Sequence, residues 1–135
     1  LIYPEGKRFS DERRASALAG LDEKGPDELA TIARGFRNVL PPRLRGPLAL
    51  LDAAKGIDVV LLEHTGFEGA ATLPQFWHGA LVGRTLHVRL RRFPASAIPA
   101  EGRDRWLFER WAEVDDWISQ AGVARNAEAA GRSDS

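Results

Sequence analysis

The chain has 135 residues, 44% hydrophobic and 28% charged, and its 19 basic and 19 acidic side chains cancel to a formal charge of zero. That length holds one domain with a core of its own, and the neutrality excludes a global field that would draw in nucleic acid, so any anion must be recognised locally. The lack of cysteine excludes disulfides and thiolate nucleophiles, three scattered histidines argue against a histidine metal site, and no run of about 18 apolar residues offers a membrane span.

In chain order, Leu1 to Tyr3 reads as the end of a buried strand. Ser10 and Asp11 can cap a helix over Glu12 to Leu21, which Gly25-Pro26 ends. Asp27 to Phe36 has weaker helical character, or is a loop, and Val39 to Arg43 forms a turn. Gly46-Pro47 starts a third helix, running to Ala54 and stopped by Gly56.

Ile57 to Glu63 is rich in β-branched residues and predicts a strand. Thr65 to Gly83, with many glycines, reads as a long loop holding one helical turn. Arg84 to Phe93 alternates, Leu86, Val88 and Leu90 on one face and His87, Arg89 and Arg91 on the other, as a half-exposed strand near a sheet edge would. After a linker over Pro94 to Glu101, Leu107, Trp111, Val114 and Ile118 recur at helical spacing and predict a helix over Arg103 to Gln120. The sequence from Asn126 is rich in Ala, Gly, Ser and charge, which predicts a disordered tail over 126–135 after a folded part over 1–125. Helices and strands alternate, so the expected class is α/β.

Four constellations could carry chemistry. In Pro4-Glu5-Gly6-Lys7-Arg8, glycine lets the backbone approach an anion and two cations flank it, at a strand end where open α/β sheets bind ligands. Alone, the same pentapeptide also fits an ordinary turn with solvated charges. Leu40-Pro41-Pro42-Arg43-Leu44-Arg45-Gly46-Pro47 projects two arginines from a rigid segment that leads into a helix N-terminus, or is a plain interhelix connection. Glu63 and His64 are adjacent at a strand end and form a weak candidate pair. Trp106, Phe108, Trp111 and Trp117 surround the last helix; packing against the sheet, with Glu109, Glu113, Asp115 and Asp116 outward, suits them better than seating in lipid headgroups, which those acids would oppose.

In order, these pieces resemble the glycerophospholipid acyltransferase family, the PlsC-type 1-acylglycerol-3-phosphate acyltransferases. Tyr3-Pro4-Glu5-Gly6-Lys7-Arg8-Phe9 is similar to the family's third block, Phe-Pro-Glu-Gly-Thr-Arg, and Leu40-Pro41-Pro42-Arg43 with Gly46 to its fourth, Leu-Pro-Arg-x-x-Gly. Val88 to Pro94, Ile98-Pro99 and Trp106-Leu107-Phe108-Glu109-Arg110-Trp111-x-x-x-Asp115 resemble the C-terminal region of the branch with the eukaryotic endoplasmic-reticulum lysophosphatidate acyltransferases and their bacterial relatives. The resemblance reaches to about Gln120; each block is weak alone, and three in order are specific.

The resemblance implies the C-terminal part of an acyltransferase domain, a mixed sheet flanked by helices, that moves a fatty acyl group from acyl-CoA or acyl carrier protein to a lysophospholipid. No cofactor is implied beyond that co-substrate, no metal and no nucleic acid, and the full protein would sit at a membrane surface, on the cytoplasmic face of a bacterial inner membrane. The family's general base is a His with an Asp five positions on. Here His64, His78 and His87 are followed at that spacing by Gly69, Gly83 and Arg92, so the pair is expected upstream of these residues. Carried over, Glu5, Gly6, Lys7 and Arg8 bind the acceptor phosphate, with Lys7 standing where the family has Thr, and Pro41, Pro42 and Arg43 place acyl chain or acceptor. Two other readings stay open: a non-catalytic domain for anionic lipid or protein, and an acyltransferase for another lysolipid acceptor.

Overall fold

A computed structural model describes residues 1–66 and 85–133, with side chains to residue 122. Helix α1 spans Asp11–Lys24. Ser10 caps it, its hydroxyl accepting from Arg13 N–H at 3.3 Å, while Asp11 and Glu12 complement the positive end of the helix dipole and Gly25 ends it by donating its N–H to the Leu21 carbonyl. Helix α2 spans Asp27–Arg34 and α3 Arg45–Ala53. Strand β1 (Val59–Thr65) and strand β2 (His87–Phe93) form an antiparallel pair, then a short 3-10 turn at Ala95–Ala97 leads to helix α4, Arg103–Ser133. The class is thus mixed α/β, and the sheet among the described residues is two-stranded.

One expectation changes, and one open alternative is decided. Leu1 to Tyr3 lie exposed, with Ile2 against Gly46; a strand needs a neighbour to satisfy its backbone, and no described strand runs beside these residues. The helix at Asp27–Arg34, weak by propensity, is the best buried of the first three: Leu29, Ala30 and Ala33 lie on one face and drive it into the core. Helix α4 is drawn to Ser133; its last part holds Ala127, Ala129 and Ala130, and alanine is the strongest helix former. The loop expected over Thr65 to Gly83 falls, from residue 67 on, outside the described residues.

The core lies between α2 and the first half of α4. Leu29, Ala33, Phe36 and Val39 meet Trp106, Leu107, Phe108, Trp111 and Val114, with Phe36 and Phe108 rings 6.2 Å apart and Phe93 edge-on to Trp106 at 5.5 Å. The stripe at Leu107, Trp111, Val114 and Ile118 therefore faces inward as its spacing requires, and the aromatic helix packs against the protein.

The sheet presents its charged side inward. Glu63 stands opposite Arg89, and Leu61 opposite Arg91, on the face covered by α4; Val60, Leu62, Val88 and Leu90 point out and are more than half exposed. The reason is electrostatic as much as hydrophobic. Glu63 holds Arg89 and Arg91 at once, Arg91 reaches on to Glu113 of α4, and Arg89 lies over the Trp117 ring at 4.8 Å. The arginine stems supply apolar cover while their heads find partners.

Candidate functional site

The site is built where two loops meet. Tyr3 to Gly6 closes a tight turn, Gly6 N–H donating to the Tyr3 carbonyl at 3.0 Å, with Gly6 at a φ of 66° that favours glycine. The second loop, residues 35–44, links α2 to α3. Arg43 N–H donates to the Pro4 carbonyl at 2.8 Å and Leu40 N–H to Glu5 Oε2 at 3.1 Å, across a separation of 35 residues. A Cβ at Gly6 would stand 3.2 Å from Arg43 Nε, so the Arg43 side chain lies directly on the glycine. The two motifs that the sequence offers separately are thus one structural unit.

Within it, residue roles separate by exposure. Glu5 turns inward; Pro41 and Pro42 are buried and fix the path of the chain; Gly6, Lys7, Arg8 and Arg43 are exposed, as is Arg45 on the first turn of α3. The Arg8 backbone carbonyl accepts from Arg13 Nη1 at 3.0 Å, tying the loop to α1. The unit thus carries three exposed cationic residues, Lys7, Arg8 and Arg43, while the Glu5 carboxylate is turned toward Leu40. Burial raises the Glu5 pKa above the ordinary carboxylate value, against the Leu40 N–H, which lowers it, and the neighbouring Asp115 raises it further. The Trp111 indole N–H lies toward the same carboxylate, outside standard hydrogen-bond geometry.

A residue that sequence reasoning placed outward proves central. Asp115, on α4, is 4% exposed, and its Oδ1 accepts from three successive backbone N–H groups: Arg37 at 2.8 Å, Asn38 at 2.6 Å and Val39 at 3.2 Å. Asn38 returns the contact, its Nδ2 donating to the Asp115 carbonyl at 3.2 Å and to Ser119 Oγ at 2.8 Å. Acidic residues late in a helix are ordinarily solvated. The signal available was spacing: Asp115 lies four residues after Trp111 and seven after Phe108, on the stripe that faces the core.

The Glu63 and His64 pair does not form. Successive residues of a strand point to opposite faces, so Glu63 goes inward to the arginines while His64 goes outward opposite Val88. Among the described residues no group of three His, Asp or Glu side chains is placed to hold a metal, and no helix is long and apolar enough to cross a membrane. A shallow depression lined by Leu51, Ile57, Ala95 and Ile98 includes none of the candidate residues.

No family model matches the chain, and no solved structure does. Among curated proteins it is similar to an uncharacterized acyltransferase of the fission yeast Schizosaccharomyces pombe, 24% identical over 131 residues, which cover 87% of this chain and 35% of that protein. The chain thus spans about a third of the length of the relative it matches.

Proposed function

We propose that this chain is the acceptor-binding part of an acyltransferase that moves a fatty acyl group from acyl-CoA or acyl carrier protein to a lysophospholipid, with 1-acylglycerol-3-phosphate as the acceptor. The similarity to an acyltransferase supports the reaction class. The observation that supports the acceptor is the docking of the two loops, which sets Arg43 on the exposed surface at Gly6, the residue that the exposed Lys7 and Arg8 follow in sequence, while the carboxylate of Glu5 is turned toward Leu40. A phosphate monoester suits such a surface: it is dianionic near neutral pH and presents several oxygens to guanidinium donors.

In this reading Arg8 and Arg43 grip the phosphate, Lys7 adds charge, and Gly6 keeps the loop close enough for its backbone to approach. Holding the phosphate fixes the glycerol, and with it the free hydroxyl, relative to the thioester. A general base takes the hydroxyl proton, the oxygen attacks the thioester carbonyl, the new C–O bond forms, the C–S bond breaks, and the thiolate leaves and is protonated. None of the three histidines has an aspartate five positions on, so the base is assigned to a segment outside these 135 residues. Association with a membrane surface would follow from the lipid nature of the acceptor.

The test is kinetic, in the natural protein that contains this chain, with acyl-CoA and lysophosphatidate. Arg8→Ala and Arg43→Ala should each raise the acceptor KM by about tenfold, the loss expected for one charge-assisted contact, and leave the donor KM unchanged. Acceptor kinetics unmoved by either substitution would refute the phosphate assignment. Vesicle binding without acyl transfer to any lysolipid would replace the enzyme by a lipid-binding domain, and transfer to a different lysolipid would revise the acceptor.

A further inference from the structure

We infer that Asp115 is a positioning residue for the phosphate site: through the backbone of residues 37–39 it sets where Arg43 stands against Gly6, and so couples helix α4 to the affinity for the acceptor. The inference rests on the acceptor reading above and adds a residue that no exposed feature of the site would suggest.

Four successive backbone N–H groups are captured by protein carboxylates here. Asp115 takes those of Arg37, Asn38 and Val39, and Glu5 takes that of Leu40. A concave run of N–H groups is an anion-binding device in its own right. Filled from within, it becomes a clamp instead. Asn38 closes the clamp from the other side through the Asp115 carbonyl and Ser119 Oγ.

From the clamp the chain has little slack before the cation. Leu40, Pro41 and Pro42 are buried, and both prolines have a fixed φ. The next residue is Arg43, whose N–H is held by the Pro4 carbonyl at 2.8 Å and whose side chain lies against Gly6. A shift at residues 37–39 is therefore passed along a stiff segment to the guanidinium, and from it to the loop carrying Lys7 and Arg8. Asp115 itself is buried and negative, so it acts on an anionic ligand through this geometry and not by touching it.

The experiment measures affinity for glycerol 3-phosphate and for lysophosphatidate, by calorimetry, in wild type, Asp115→Asn, Arg43→Ala and the double variant, with thermal unfolding followed in parallel. Asp115→Asn should weaken binding about fivefold in the wild-type background and by much less once Arg43 is gone, since coupled positions are non-additive. A merely structural role would lower stability and leave the two losses additive. A folded Asp115→Asn protein that binds as wild type, or whose loss persists in full without Arg43, overturns the inference while leaving the acceptor reading intact. Wild-type protein that binds neither probe sinks both. Should Asp115→Asn fail to fold, Asn38→Ala carries the same comparison: an Arg43-dependent loss supports the clamp, and unchanged binding refutes it.

Discussion

Glu63 and Asp115 lie almost equally deep in the molecule, 3% and 4% exposed, and they are satisfied in opposite ways. Glu63 is held by side chains: Arg89 Nε donates to Oε2 at 2.5 Å with Nη2 beside the same oxygen, and Arg91 Nε donates to Oε1 at 2.5 Å. Asp115 Oδ1 is held by backbone. A carboxylate paired with side chains can be removed together with its partners, because mutation can delete all of them. A carboxylate paired with backbone cannot, because the N–H groups remain whatever the sequence says. The sheet network is thus replaceable chemistry, and the loop clamp is not.

The largest expected effect follows from the clamp. Asp115→Ala leaves Arg37, Asn38 and Val39 N–H groups without their acceptor, the last of them buried, and should cost about 3 kcal/mol or more in denaturant unfolding. No apolar replacement at position 115 should recover it. Glu63→Ala should cost about 2–3 kcal/mol by itself, since Arg89 loses its partner while Arg91 keeps Glu113. Replacing Glu63, Arg89 and Arg91 together by apolar residues of similar volume should return to within about 1 kcal/mol of wild type. A triple variant as damaged as Glu63→Ala would break the distinction between the two carboxylates.

What the sequence made legible follows the same division. The Ser10 cap, the stop at Gly25 and the stripe along α4 are local patterns, and all are found; the third helix ends at Ala53, capped by Ala54 ahead of Gly56. The motifs at Pro4 to Arg8 and Leu40 to Pro47 are legible as motifs, but their docking depends on contacts such as Leu40 N–H to Glu5, 35 residues apart, which no local pattern encodes. Asp115 was misplaced because an acid near other acids on a helix is usually solvated, and only the N–H groups of a distant loop make burial favourable. The turning of the β2 arginines inward has the same origin: alternation showed two faces, but Glu63 on a neighbouring strand decided which is covered. The Glu63 and His64 pair was excluded by strand periodicity alone, once β1 extended past both residues.

A smaller effect separates position from strain. Gly6 and Gly102 share a φ of 66°, where an L-residue is disfavoured by roughly 1–2 kcal/mol. A Cβ at Gly102 meets nothing within 4 Å, while one at Gly6 meets Arg43 at 3.2 Å. Gly6→Ala and Gly102→Ala should therefore lose similar stability in thermal unfolding, and only Gly6→Ala should weaken phosphate binding. Equal binding in the two variants would detach Arg43 from the site.

The smallest effect concerns the second carboxylate of the clamp, and its sign runs opposite to the usual acidic case. Burial raises the Glu5 pKa above its ordinary value of 4.5, so between that value and the higher folded one the native protein binds more protons than the unfolded chain. Stability then falls as pH rises through this window and is flat above it, where Glu5 is ionised in both states. The charge is retained at a cost, since Leu40 N–H needs only an acceptor and a neutral one would serve. Glu5→Gln keeps a carbonyl for that N–H, and should abolish the slope in this window while leaving neutral-pH stability equal or slightly higher. A Glu5→Gln protein that is less stable at neutral pH would show that the charge itself holds the loop, and would place Glu5 with Asp115 among the carboxylates that cannot be exchanged.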